Sequence, residues 1–227
     1  MKILHVITSM NPKLGGVCQV LRNLNPYLIE QGINVEIVSL DNEHDDFGIH
    51  DNFVIHKLGY GKTSYQYQPK LAHWLNDNLS NYNYVIIHGL WQYPNFASYQ
   101  SVKLLKKQNK KVPKVIIMPH GMLDPYFQKA PERRLKALRN EIVWALIERN
   151  CINNDVLLLT DLPTNSVKNV PLEHLRVAYV LNRSRNLIGC RDGVACRLPC
   201  YTRHHCSMLG SSVDLSRHFV AFAATIL

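Results

Sequence analysis

No stretch of about 18 apolar residues, the length a helix needs to cross the hydrocarbon of a bilayer, occurs in this sequence. A spanning segment is therefore excluded. The opening Met1-Lys2-Ile3-Leu4-His5-Val6-Ile7 is too short for the apolar core of a signal peptide and reads as a buried strand. Cysteine is scarce outside one crowded stretch: of six, Cys18 and Cys151 stand alone, and Cys190, Cys196, Cys200 and Cys206 cluster near the end. That is not a framework spread over a secreted fold, so a reducing cytoplasm is the expected compartment. The cluster holds no Cys-x-x-Cys pair, even with His204 and His205 nearby, and its spacing fits zinc poorly. No metal is expected.

Anionic partners are suggested by a formal net charge of +9, which suits a nucleic acid, a membrane surface or a nucleotide-linked substrate alike. The excess gathers in two stretches, Lys103 to Lys114 and Lys129 to Arg139. Neither interleaves aromatics with its cations or matches a recognition motif, which argues against nucleic acid. Both also suit solvated helix ends, where cations are favourable.

Apolar patterning is what the chain has in quantity. Short, nearly all-apolar runs mark strands covered on both faces, as in a parallel sheet: Ile3 to Thr8, Val35 to Leu40, Phe53 to Leu58, Tyr84 to His88, Lys114 to Met118 and Asp155 to Thr160. Helical spacing separates most of them. Val17, Val20, Leu21, Leu24 and Leu28 form one stripe closed by Gly32; Leu71, Trp74, Leu75 and Leu79 form another. A third helix is predicted from about Asn95 to Gln108, and a fourth opening at Pro131 with Leu135, Leu138, Ile142, Ala145 and Leu146 on its buried face. Alternating strands and helices with short loops require an α/β, Rossmann-like, doubly wound parallel sheet over residues 1–160. Beyond Thr160 periodicity fades. Leu175 to Leu181 could form a strand, but 161–227 is otherwise read as a tail without clear fold.

In such sheets ligands bind beyond the C-terminal ends of the strands, so the residues closing each apolar run are the candidates. Gly15-Gly16 leads into a helix N-terminus, where free amides favour an anion; the spacing matches neither the dinucleotide fingerprint nor a phosphate loop, and a plain turn explains it equally well. His88-Gly89-Leu90-Trp91 and Pro119-His120-Gly121 deliver an imidazole from two successive strands to one rim. A lone histidine is more often a structural hydrogen-bonding group. Two at equivalent positions are more informative, since imidazole can hold a sugar hydroxyl or stabilise charge near neutral pH. Trp91 offers an aromatic face to a sugar, or packs beneath the next helix.

Together, Lys2 to Ile7, Pro12-Lys13-Leu14-Gly15-Gly16-Val17, His88-Gly89-Leu90-Trp91 and Pro119-His120-Gly121-Met122-Leu123-Asp124-Pro125 resemble the N-terminal domain of the family 4 retaining glycosyltransferases. The resemblance implies one half of a GT-B architecture, whose N-terminal domain holds the acceptor while a C-terminal domain grips a nucleotide-sugar. It implies that Gly15 and Gly16 lie against the donor diphosphate, that His120 is the catalytic-site residue facing the donor sugar, and that His88 and Trp91 line the acceptor side. It implies no cofactor beyond the nucleotide-sugar co-substrate, and a glycan or lipid-linked acceptor. Lys129, Arg133, Arg134, Lys136 and Arg139 would meet an anionic membrane, placing the protein in the cytoplasm or peripherally at the inner face of the membrane. The family's Glu-x7-Glu element is absent: Glu173 is the only glutamate after Thr160. The expectation is a chain truncated or frame-shifted after about residue 160 and inactive alone. The competing expectation is a non-catalytic domain that binds an acceptor or a membrane surface. The sequence sets no oligomeric state.

Overall fold

The computed structural model describes residues 1–47, 50–120, 122, 134–143, 146–147, 149–151, 156–160 and 176–179. Among these, seven strands form one sheet: β1 (Lys2–Ile7), β2 (Asn34–Ser39), β3 (Val54–Lys57), β4 (Tyr84–His88), β5 (Lys114–Met118), β6 (Val156–Thr160) and β7 (Arg176–Tyr179), in the order β3-β2-β1-β4-β5-β6-β7. Every neighbouring pair is parallel. The helices are α1 (Gly16–Glu30), α2 (Pro69–Asn78), α3 (Tyr93–Lys107), α4 (Arg134–Val143) and the single turn α5 (Arg149–Cys151). The strand order reverses between β1 and β4, and that reversal opens a crevice beyond their C-terminal ends.

Local chemistry sets the helix ends. Pro69 opens α2 behind Gln68, whose side chain accepts from the Lys70 amide, and Pro94 sits in the first turn of α3, where a missing N–H costs nothing. Gly32, at φ 76°, ends α1 in the left-handed region that glycine enters without strain.

Alternation divides the strand side chains between two faces. Leu4 and Val6 of β1, Val38 of β2, Val85 and Ile87 of β4, and Val115 and Ile117 of β5 pack with Leu71, Leu75 and Leu79, and with Ala97 and Leu105 of α3. Ile3, Val35, Ile86 and Ile116 pack against Leu24 and Leu28 of α1, and Ile7, Ile37 and Phe53 against Cys18 and Leu21. Each buried aliphatic side chain contributes about 1.5–3 kcal/mol relative to exposure, so both helix layers are held by the sheet. Near the N-terminal edge of the first face, Glu36 meets Lys2 at 2.6 Å, His56 at 3.0 Å and the Tyr82 hydroxyl at 2.6 Å. Burial alone would raise its pKa, but these donors hold the carboxyl down at about 2.

The doubly wound parallel sheet is thus present as the sequence reading expects. Strand β7 falls within Leu175 to Leu181 and lies beyond residue 160; the rest of 161–227 is outside the described residues. One expectation needs correction. The stripe Leu135, Leu138, Ile142 and Leu146, predicted as a buried face, is exposed, Leu135 to 84%. Helical periodicity identifies a shared face but not what covers it. The domain is met instead by Asn140, which is buried, and by Val143, packed on the main core, while Arg139 donates to the Ser64 hydroxyl. The predicted helix start at Pro131, and Ala145, lie outside the described residues.

Candidate functional site

The loops beyond β1, β4 and β5 meet at the point where the strand order reverses. Beyond β1, the carboxylate of Asp41, just past β2, accepts from the Ser9 hydroxyl at 2.5 Å and the Met10 amide at 2.7 Å. Asn11 then caps a short turn of 3-10 helix, Pro12–Leu14, by accepting from the Lys13 amide. Gly15 follows at φ 147° and caps α1; its conformation belongs almost wholly to glycine. A side chain at Gly15 or Gly16 would meet nothing within 4 Å. The backbone at the start of α1 thus has open space where side chains would stand, and a helix N-terminus favours an anion.

The β4 and β5 loops are fastened to each other. The Gly89 amide donates to the Met118 carbonyl at 2.8 Å and the Leu90 amide to the Met122 Sδ at 3.1 Å. Gly89 has φ 95°, and a Cβ there would lie 3.4 Å from the Met122 methyl. Two non-glycine residues at this rim, Trp91 at φ 64° and His120 at φ 49°, also adopt left-handed backbone. Such conformations cost of order 1–3 kcal/mol and cluster at functional sites.

Three imidazoles stand in a column across β1, β4 and the end of β5. His5 Nδ1 lies 2.9 Å from His88 Nε2, and His88 Nδ1 lies 2.7 Å from His120 Nε2. The rings stack, with centroids 5.1 Å apart at 28° and 5.0 Å apart at 20°. His5 and His88 are buried, and His120, at the rim, is partly exposed. Burial first, and then the proximity of His120, push the pKa of His5 down to about 3. Burial, His120 and His5 hold His88 well below the usual histidine value. Both inner rings are neutral at physiological pH, and a neutral imidazole can donate at one nitrogen and accept at the other.

The two histidines singled out in the sequence, His88 and His120, are in contact. Trp91 is buried, packed into the main core. Gly15 and Gly16 lie at the same sheet end, after β1. Arg139 is exposed on α4, Arg134 and Lys136 belong to that helix, and Lys129 and Arg133 lie outside the described residues. Among the described residues no three His, Cys, Asp or Glu side chains converge as metal ligands would; Cys190, Cys196, Cys200 and Cys206 are not among them. No helix of the described residues is long and apolar enough to cross a membrane.

Sequence reasoning missed His5 and Asp41. His5 was legible as the one polar side chain in β1 that alternates with Ile3 and Ile7; its register partner in β4 is Ile86, two residues before His88 on the same face. Asp41 offered a weaker signal, a carboxylate just past a buried strand.

The class the fold defines is a Rossmann-like α/β domain, with glycines at a helix N-terminus and three histidines in contact at its strand ends. The family model described as Glycosyltransferase Family 4 matches residues 14–151, and the chain belongs to that family. No curated protein matches it. Among solved structures, it is similar to a short-chain dehydrogenase/reductase from Burkholderia vietnamiensis at 13% identity and a TM-score of 0.42, over 75% of this chain and 87% of that one.

Proposed function

We propose that this glycosyltransferase domain takes part in transferring a sugar, with retention of configuration, from a nucleotide-sugar to a glycan or lipid-linked acceptor. The observation that carries the reading is His120, set at the crevice of the switch point on strained backbone and backed by two buried rings. Strain maintained by so many contacts is expected where a side chain must meet a ligand. In this reading His120 faces the donor sugar, Gly15 and Gly16 lie against the diphosphate, and His88 and Trp91 line the acceptor side. The nucleotide-sugar is a co-substrate and no metal takes part. In this reading a second, donor-binding domain supplies the remaining grip on the nucleotide-sugar.

The test is calorimetric titration of the full chain with a panel of nucleoside diphosphates and their sugars. A dissociation constant below about 100 µM for one donor, weakened at least tenfold by His120→Ala, is the expected result. A folded chain that binds none of them would overturn the donor-facing role of His120 and of Gly15-Gly16.

A second reading, contact with an anionic membrane surface, is favoured by the exposed Leu135, Leu138 and Ile142 on α4 beside Arg139, with Leu146, also exposed, beyond the helix. Apolar side chains bordered by cations are the pattern of a helix lying in the headgroup region. Lys129, Arg133, Arg134 and Lys136 add to that charge. The protein then works in the cytoplasm or at the inner face of the membrane. Co-sedimentation with anionic but not neutral vesicles, lost in Leu138→Asp, is expected; equal recovery with both vesicle types would remove the electrostatic part of this reading.

A further inference from the structure

His88 commits both ring nitrogens to the histidine column, one to His5 and one to His120. Each neutral imidazole has a single N–H, and that count ties the three rings together. If the His88 proton is on Nδ1, it is donated to a bare His120 Nε2. His88 Nε2 is then bare and must accept from His5 Nδ1–H. If the proton is on Nε2 instead, both bonds reverse. No neutral arrangement that satisfies both bonds mixes the two directions.

The buried end decides between them. His5 is fully buried, and its Nε2 has no hydrogen-bond partner among the described residues. In the first direction this atom is a bare acceptor; in the second it is an N–H with nothing to donate to. Orphaned buried N–H groups are rarer than under-satisfied acceptors, so the first direction costs less. The proton of each ring then resides on Nδ1, which in His120 is the nitrogen not bonded to His88. An N–H at that position suits an oxygen acceptor, such as a sugar hydroxyl or a phosphate oxygen.

We propose that His5 and His88 are positioning residues: their column holds the ring of His120 through Nε2 and sets its proton on Nδ1. The role for substrate rests on the reading of His120 given above, but the column can be tested without any substrate. Neither inner ring touches the ligand on this account. They act by fixing the orientation and hydrogen-bonding sense of the ring that does.

The experiment is long-range proton–nitrogen correlation NMR of the full chain labelled with 15N-histidine at neutral pH, which tells an Nδ1–H from an Nε2–H imidazole. The expected result is the Nδ1–H form for His5, His88 and His120, opposite to the preference of free histidine. His120 in the Nε2–H form, or as an even mixture, overturns the proposal with no mutation needed. His88→Phe removes the link, and His5→Phe removes the ring that never touches His120. In each, His120 should lose its Nδ1–H preference while the β-sheet amide signals persist. A His120 signature unchanged in both variants also overturns it. Donor titration separates the two claims: tautomers as expected with no donor bound leaves the column standing and the transfer reading fallen, and bound donor with a mixed His120 does the reverse.

Discussion

The two faces of the same sheet are built for different ends. Under α2 and α3 the central strands present Leu4, Val6, Val38, Val85, Ile87, Val115 and Ile117, and the charged group on that face, Glu36, sits at the edge with three partners. Under α1 the strands present Ile3, Val35, Ile37, Ile86 and Ile116, but also His5, Ser39 and His88, all buried. Among the described residues Asn25, on the buried side of α1, finds no hydrogen-bond partner for either end of its amide, nor does the Ser39 hydroxyl. Polar groups buried without partners cost about 1–3 kcal/mol each. One face therefore holds the domain together, and the other gives up part of its stability to place imidazoles behind the rim.

Acid should break that comparison most strongly. In the folded chain His5 stays neutral to about pH 3 and His88 lies well below the ordinary value, whereas both titrate near 6.5 when unfolded. The unfolded state binds more protons below pH 6.5, so stability is complete above that pH and falls as pH is lowered toward 3. His5 alone is expected to remove about 3 kcal/mol by pH 4, and His88 adds a loss of the same sign. Urea unfolding at pH 7 and pH 4 checks this: the chain should lose most of its stability, and His5→Phe should lose clearly less. An equal loss in both would show that the acid sensitivity lies elsewhere.

The more apolar face should respond to cavities rather than pH. Leu75→Ala, at a fully buried α2 position, is expected to cost about 3 kcal/mol at pH 7 and pH 4 alike. Its loss should leave donor binding by the folded protein unchanged, because its contacts lie under the other side of the sheet. A cost that grew at pH 4 would mean that the two faces are coupled. Smaller again is Gly89→Ala, expected to cost about 1–2 kcal/mol through the positive φ. Because Gly89 is next to His88 and packs on Met122, this variant should weaken donor binding more than Leu75→Ala does. The reverse order would separate the site from the rim.

Much of this architecture was legible because short apolar runs and turn residues carry a parallel sheet on their surface. The runs ending at His88 and before Pro119 gave β4 and β5, and with them His88 and His120. His5 left only a faint signal, one polar side chain alternating with Ile3 and Ile7, and a strand buried on both faces gives no pattern that assigns it a role. Its meaning appears only when register puts it beside His88, a relation between residues 83 positions apart. Asp41 escaped for the same reason: what it holds, Ser9 and Met10, is distant in sequence. The α4 stripe shows the opposite error, a local pattern read correctly as a face and wrongly as a buried one.

That stripe gives the smallest expected effect and the sharpest contrast with Leu75. Both sites are leucines at helical spacing, yet Leu138 is more than half exposed. Leu138→Ser should therefore change stability by no more than about 0.5 kcal/mol, measured by thermal unfolding at neutral pH. A cost near that of Leu75→Ala would mean that the stripe is covered in solution, by another part of the chain or by a second copy. A negligible cost together with lost vesicle binding would mean that its apolar side chains are kept for a surface the folded domain meets from outside.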